Sequence, residues 1–187
     1  MKYIFFLLVV LLSFSNSMNA KDCFIVKDYK SGKIIEERGG ELCKTRFSPC
    51  SSFKLPIALM GYDSGILKNE NNPKFKYNSK ISNNEYNNDW AMKMWGIGEK
   101  TPSDWMKNSI VWYSQIITYK LGLKKFQEYL KKFNYGNMNT SGKDAIRMGW
   151  LTASADKDGY IKISPEEQIN FIENMLHKDF QIKSAAA

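Results

Sequence analysis

The sequence predicts an α+β protein, because strand patterns and helix patterns occupy separate parts of the chain. Two short segments near the N-terminus predict a β-hairpin, and the segments that follow have apolar residues at helical spacing. The third observation is a serine three residues before a lysine at the start of an apolar stretch, Ser51-Ser52-Phe53-Lys54. With 187 residues, of which 43% are hydrophobic, the chain is long enough for one domain with a sizeable core.

The first 20 residues have the pattern of a secretory signal peptide. Lys2 precedes an unbroken apolar run over 3–12, and a small, polar segment follows over 13–20. Cleavage after Ser17 and cleavage after Ala20 are both open. An uncleaved membrane anchor is the alternative, but this apolar run is too short to span a bilayer. We therefore predict a secreted or periplasmic bacterial protein without stable membrane insertion, with 1–20 as signal peptide and 21–187 as one domain.

The predicted hairpin comprises 23–28 and 33–36, joined by a turn at Lys30-Ser31-Gly32. Thr101-Pro102 predicts a helix start, and Gly122 predicts a break before an amphipathic helix over 123–133. Ser164-Pro165-Glu166-Glu167 is a capping box that predicts a last helix. Most of the tryptophans are expected in the core: Trp90, Trp95, Trp105, Trp112 and Trp150.

Charge and cysteine content exclude several classes of partner. The formal net charge of +8 falls to +7 without residues 1–20. The lysines of the chain are scattered along the sequence, so we predict that they form a solvated surface and that the protein has no nucleic-acid partner. Three cysteines and the single histidine, His177, do not form a zinc-ligand pattern, so no metal is predicted. Cys43 and Cys50 flank a short loop and are the candidate disulfide in an exported protein, with Cys23 as the odd thiol.

Ser51 and Lys54 are the candidate catalytic pair. Positions i and i+3 of a helix share a face, so the hydroxyl and the amine would point into the same space. Serine is a weak nucleophile until a base takes its proton, and lysine can be that base only when burial lowers its pKa. The alternative is a helix N-terminus with a solvated lysine. A second copy of the spacing, Ser154-Ala155-Asp156-Lys157, lies in a polar stretch and is interpreted as a turn.

With these segments in place, the chain resembles the class D β-lactamases of the serine penicillin-recognising superfamily. Ser51-Ser52-Phe53-Lys54 is similar to the family's Ser-x-Phe-Lys element, and Ser109-Ile110-Val111 is similar to its Ser-x-Val element. Tyr135-Gly136-Asn137 matches its Tyr-Gly-Asn element, and Trp150-Leu151 fits its downstream Trp-Leu. The likeness covers nearly all of 22–187. It implies a penicillin-binding transpeptidase-like fold, in which a helical region packs on an antiparallel sheet.

The resemblance also implies a mechanism. Ser51 would attack the β-lactam carbonyl to form an acyl-enzyme, which water would release. Lys54, carboxylated by carbon dioxide or bicarbonate to N6-carboxylysine, would be the base in both steps, and no other cofactor is implied. Ser109 would relay a proton to the leaving nitrogen. The remaining residues would bind substrate or support the site, Val111 by walling Lys54 off from water and Trp150 by hydrogen-bonding the carbamate, together with Tyr135, Gly136 and Asn137.

The chain departs from the family in one element, the Lys-Thr-Gly strand whose lysine meets the substrate carboxylate. Lys-Thr occurs here at Lys44-Thr45 and Lys100-Thr101, neither of them followed by glycine. The expectation is a family member truncated before that strand, with an incomplete sheet. Three interpretations follow: a β-lactam hydrolase that confers antibiotic resistance, a penicillin-binding sensor that deacylates slowly, and an inactive remnant. Their substrate or ligand would be a small-molecule β-lactam.

Overall fold

The computed structural model describes residues 22–82, 89–151, 158–177, 179, 180 and 182. The predicted signal peptide and the second Ser-x-x-Lys copy, Ser154–Lys157, lie outside these residues, so both stay predictions. The chain divides into two compact units, of which the first ends at Cys43 and the second begins at Lys44.

The first unit contains the hairpin that the sequence predicts. Strand β1 (Phe24–Lys27) pairs antiparallel with β2 (Ile34–Arg38). In the turn, the Asp28 carboxylate accepts hydrogen bonds from the backbone N–H and the hydroxyl of Ser31, and Gly32 has φ +67°. These bonds replace ladder bonds where the chain reverses. The hairpin prediction is confirmed, with β2 beginning one residue later and ending two residues later than expected.

The predicted disulfide between Cys43 and Cys50 is wrong. Cys43 lies on the short helix α1 (Glu41–Lys44) and is bonded to Cys23, at a sequence separation of 20. Gly39 allows this approach, because a Cβ there would lie 2.8 Å from the Asp22 carbonyl oxygen and 3.2 Å from Cys43 Sγ. Cys50 keeps its thiol, with Sγ 3.9 Å from Ser48 Oγ. Short spacing could not identify the pair, because bridging depends on the direction of the Cβ vectors.

The second unit is helical. Its elements are a 3-10 helix (Cys50–Phe53), α2 (Lys54–Asp63), α3 (Asp89–Trp95), α4 (Pro102–Asn108), α5 (Val111–Leu121), α6 (Leu123–Lys132), α7 (Ala145–Met148) and α8 (Pro165–Leu176). The Thr101 hydroxyl caps α4 and the Ser164 hydroxyl caps α8, each with proline in the first turn. Gly122, with φ +77°, separates α5 from α6. The helix starts and the α+β class are confirmed.

Helix α5 forms the centre of this unit. Every residue from Val111 to Thr118 is buried, as expected of a helix that contacts protein on all sides. It packs against α2, α6 and α7. The core prediction holds for four tryptophans, whose side chains are all buried: Trp95, Trp105, Trp112 and Trp150. The side chain of Trp90 lies outside the described part of the chain.

Candidate active site

The 3-10 helix at Cys50–Phe53 brings the candidate nucleophile and base together. A 3-10 helix has three residues per turn, so side chains at i and i+3 are eclipsed. The Lys54 Nζ donates a hydrogen bond to Ser51 Oγ at 3.3 Å. Ser51 itself is exposed, which leaves its hydroxyl accessible to a substrate. The sequence pattern predicts both residues on one α-helix, whereas in the structure the α-helix begins only at Lys54.

Lys54 is buried at 3% exposure, so the alternative of a solvated lysine is wrong. Desolvation of the charged amine lowers its pKa to about 8 from an ordinary value of 10.5, and the Cys50 thiol opposes this shift slightly. Within the described ranges, Lys54 forms no ion pair with a carboxylate. A fraction of the amine is therefore neutral near neutral pH, which a base or an amine nucleophile requires.

The Trp150 ring lies over the Lys54 amine. Its ring centroid is 5.9 Å from Lys54 Nζ, and the ring stacks on Phe53 at 5.9 Å. The Ser48 hydroxyl lies 3.1 Å from both the Trp150 and the Leu151 carbonyl oxygens, which ties this segment to the 3-10 helix. The Trp150 indole N–H donates to the Ile146 carbonyl at 3.3 Å. Lys54 therefore lies against an aromatic face with the indole donor turned to the backbone.

Ser109 reaches Ser51 from the end of α4. Its Oγ donates to Ser51 Oγ at 3.0 Å, so three side chains, Lys54, Ser51 and Ser109, form one hydrogen-bonded chain. Ser109 has φ +54°, a left-handed conformation that is uncommon outside glycine and concentrated at functional sites. Val111 follows two residues later and is buried at the start of α5.

Tyr135, Gly136 and Asn137 lie behind the nucleophile and not beside its hydroxyl. The Tyr135 ring packs edge-on against Phe53 at 5.2 Å, and its hydroxyl donates to Gln168 Oε1 at 2.9 Å. Burial raises the pKa of Tyr135, so it stays a neutral donor. Asn137 accepts from the Lys162 N–H and donates to the Tyr160 carbonyl, both at 2.9 Å. These residues therefore support the 3-10 helix from the protein interior and do not contact the Ser51 hydroxyl.

Replacing Gly136 with alanine is expected to lower the free energy of unfolding by about 3 kcal/mol or more. A Cβ there would lie 2.1 Å from the Lys162 carbonyl oxygen, which already accepts the Asn137 N–H, and φ is +56°. Gly65→Ala is the matched control, because Gly65 has φ +76° but no heavy atom within 4 Å of the position that a Cβ would take. The free energy of unfolding of the control should fall only by the cost of placing alanine in a left-handed conformation, about 1–2 kcal/mol. Urea unfolding of both variants measures the difference, and equal losses would contradict the packing argument.

Ser48 and Gln115 hold the segments of the site together, and no sequence pattern predicts this role for them. Ser48 precedes a proline, and Gln115 sits in an apolar helix, so neither belongs to a chemical pattern. The only signal was the presence of an amide in a mostly apolar stretch of helix. Thr101, which follows Lys100, is the cap of α4, as the sequence predicts.

The described ranges contain no group of three or more His, Cys, Asp or Glu residues arranged to hold a metal ion. In the same part of the chain, no helix combines the length and apolarity needed to cross a membrane.

The chain is similar to a known protein family and to several known proteins. The family model of the penicillin binding protein transpeptidase domain matches residues 17–183. Beta-lactamase OXA-9 of Klebsiella pneumoniae is 36% identical over 180 residues, which cover 92% of this chain and 59% of that protein. Beta-lactamase OXA-1 of Escherichia coli is 33% identical over 168 residues, 88% of this chain and 55% of that protein. The chain thus spans less than two thirds of the length of these relatives.

The solved structures give the same result. The crystal structure of the OXA-427 class D β-lactamase matches with a TM-score of 0.70 and 33% identity, over 88% of this chain and 62% of that one. A class D β-lactamase from Sebaldella termitidis matches with a TM-score of 0.70 and 27% identity, over 88% of this chain and 58% of that one. The fold of this chain is similar to that of these class D β-lactamases. The chain belongs to the penicillin binding protein transpeptidase family.

Proposed function

We propose that this site hydrolyses penicillin-type β-lactams through an acyl-enzyme on Ser51, with antibiotic resistance as the consequence. The observation that carries the proposal is the 3.3 Å hydrogen bond between the buried Lys54 amine and the exposed Ser51 hydroxyl. A lysine with a pKa of about 8 can accept the serine proton near neutral pH. Similarity to proteins named β-lactamases supports the choice of substrate class.

In acylation, Ser51 Oγ forms a bond to the β-lactam carbonyl carbon while its proton passes to the base at Lys54. The amide C–N bond then breaks, and the leaving nitrogen takes a proton. In this proposal Ser109 relays that proton, which the 3.0 Å hydrogen bond from its hydroxyl to Ser51 Oγ supports. The Ser51 backbone N–H, near the start of the 3-10 helix, would donate to the carbonyl oxygen as its charge develops.

In deacylation, a water oxygen attacks the ester carbon, its proton passes to the base, and Ser51 Oγ leaves with a proton. Carbon dioxide, when bound to the neutral Lys54 amine, would supply a carbamate oxygen as the base in both steps. The residues fit this modification, since the amine is desolvated and two hydroxyl donors lie in a chain beside it. Val111 and Trp150, both buried, would exclude bulk water.

A second candidate function is penicillin binding with slow deacylation. The Trp150 indole N–H donates to the Ile146 carbonyl at 3.3 Å, so it would have to leave that acceptor before it could stabilise a modified lysine. A less stable modification would leave acylation possible and would slow the release of the acyl group.

Intact mass spectrometry of the mature protein, followed over time with a penicillin and bicarbonate, tests both candidates. A transient adduct on Ser51 with loss of substrate is the result expected of a hydrolase. A lasting adduct would support the slow-deacylating binder. A folded protein that forms no adduct would contradict both, and would fit an inactive relative.

Export to the periplasm is part of the same proposal. The apolar run over 3–12 supports it, as does the Cys23–Cys43 disulfide, because disulfides persist mainly in oxidising compartments. The proposed ligand is the small-molecule β-lactam alone.

Replacing Ser109 with alanine is expected to slow acylation by about 10²- to 10⁴-fold, the range for one proton-transfer group. Ser51 and Lys54 stay in contact in this variant, so slow acylation should remain. Ser103→Ala, also on α4, is the control and should acylate like the parent. The acylation rates are measured by mass spectrometry of samples quenched at successive times. An unchanged rate in Ser109→Ala would remove Ser109 from the proton path.

A further inference from the structure

A buried glutamine joins the central helix to the segment that carries Trp150. Gln115 on α5 is fully buried, and its Nε2 donates to the Arg147 carbonyl at 3.4 Å and to Met148 Sδ at 3.5 Å. Both acceptors belong to α7. A buried polar side chain that contacts a neighbouring helix constrains how the two helices pack, because breaking the contact leaves polar groups unsatisfied.

Helix α7 depends on such contacts for its position. It has four residues, about one turn, and a single turn is not stable without tertiary packing. It follows Asp144, which has φ +59°. Arg147 makes further contacts, with Nη1 donating to the Ile81 carbonyl and Nε to Asp144 Oδ1, both at 2.6 Å. The Gln115 contact differs from these, because it runs from α7 to the helix that begins beside Ser109.

The position of α7 in turn sets the position of Trp150. The indole N–H donates to the Ile146 carbonyl on α7, and the Leu151 N–H donates to the Met148 carbonyl at 3.0 Å. The Trp150 ring lies 5.9 Å from Lys54 Nζ. A shift of α7 would therefore move the aromatic face that covers the amine and would admit water to it.

We propose that Gln115 is a positioning residue, which acts through α7 to hold Trp150 over the Lys54 amine. The inference rests on the proposed function only in taking Lys54 as the base. Around Lys54, the 3-10 helix contributes the Cys50 thiol and the Ser51 hydroxyl, and the α7 side contributes the Trp150 ring. Ser109, from the end of α4, reaches Ser51. None of these neighbours is a carboxylate or a cation, so hydration of the amine is the main factor that Gln115 can change.

The test compares Gln115→Met with Thr118→Val in the full chain. Methionine keeps the length of Gln115 and removes its amide. Thr118 is equally buried on the same helix, but its hydroxyl donates to the Gln115 backbone carbonyl within α5, at 3.2 Å. Thr118→Val therefore removes a buried polar group whose hydrogen bond lies within α5. A general loss of core stability would affect both variants, whereas a positioning effect would appear only in Gln115→Met.

The readout is the titration of Lys54, followed by NMR of protein carrying ¹³Cε-labelled lysine. The Lys54 signal is identified by its absence in Lys54→Met. We expect Gln115→Met to raise the pKa of Lys54 by about one unit, as water reaches the amine, and Thr118→Val to leave it unchanged. An unchanged Lys54 titration in folded Gln115→Met, or an equal shift in both variants, would overturn the proposal.

If Gln115→Met does not fold, Gln115→Leu removes the same amide, and with it both bonds to α7, and should shift the Lys54 titration in the same direction. No shift in that variant would overturn the proposal. Acylation of the parent chain by penicillin, measured by mass, tests the proposed function separately. A parent that forms no adduct while Gln115→Met still shifts Lys54 would remove the function and keep the positioning role. A parent that is acylated, together with an unchanged pKa of Lys54 in Gln115→Met, would keep the function and remove the positioning role.

Discussion

Ser51→Ala is expected to abolish the penicillin adduct and to reduce β-lactam turnover by about 10⁶-fold, the scale found when a catalytic serine is removed. The reason is chemical, because the variant loses the hydroxyl that contacts both Lys54 and Ser109. The Ser109 hydroxyl remains, but without Ser51 it is no longer linked by hydrogen bonds to the Lys54 amine. Intact mass after incubation with a penicillin measures the adduct, and loss of β-lactam absorbance measures turnover.

The control for this variant is Ser52→Ala. Ser52 is the next residue and is also exposed, but its hydroxyl donates to the Pro49 carbonyl at 2.6 Å and does not contact Lys54. It should acylate at close to the parent rate. An adduct that persists in Ser51→Ala and disappears in Ser52→Ala would mean that the nucleophile has been misassigned by one residue.

Lys54→Met is expected to combine loss of turnover with a gain in stability. Without the amine, neither the serine proton nor the proton of the attacking water has an acceptor, so deacylation should stop and acylation should persist only slowly. The stability gain follows from burial. Below about pH 8 the folded protein holds a charged amine away from water, and methionine removes that cost. The trade of stability for activity is common at active sites.

The pH dependence of this gain has a definite sign. The pKa of Lys54 is about 8 when folded and 10.5 in the unfolded reference, so between these values the unfolded chain binds more protons. The parent therefore gains stability as the pH rises through this window. Lys54→Met should be more stable by up to about 3 kcal/mol at pH 7, and the difference should vanish near pH 10.5. Comparing the two proteins cancels the titration of all other groups.

Urea unfolding at a series of pH values measures this difference, and Lys124→Met is the control. Lys124 is exposed on α6, so its replacement should change stability little at any pH. A Lys54→Met variant that is less stable than the parent at pH 7 would show that the amine is held by favourable interactions and is not merely desolvated.

The local patterns of the sequence predicted much of the fold because they act over short distances. The turn at Lys30-Ser31-Gly32, the caps at Thr101 and Ser164 and the break at Gly122 all depend on backbone chemistry within a few residues. The serine–lysine spacing had the same local character, since three residues place two side chains together in any tight helical turn.

How distant segments meet at the site depends on tertiary packing and could not be predicted from local patterns. The Cys23–Cys43 pairing depended on the close approach at Gly39, which spacing does not encode. Ser109 became a neighbour of Ser51 through a left-handed residue at the end of α4, and the burial of Lys54 required Trp150 from a segment far along the chain. The sequence by itself determined which chemical groups are present and which elements carry them. Packing around α5 determined their distances and the solvation of the lysine, because burial and hydrogen bonding are properties of the assembled core.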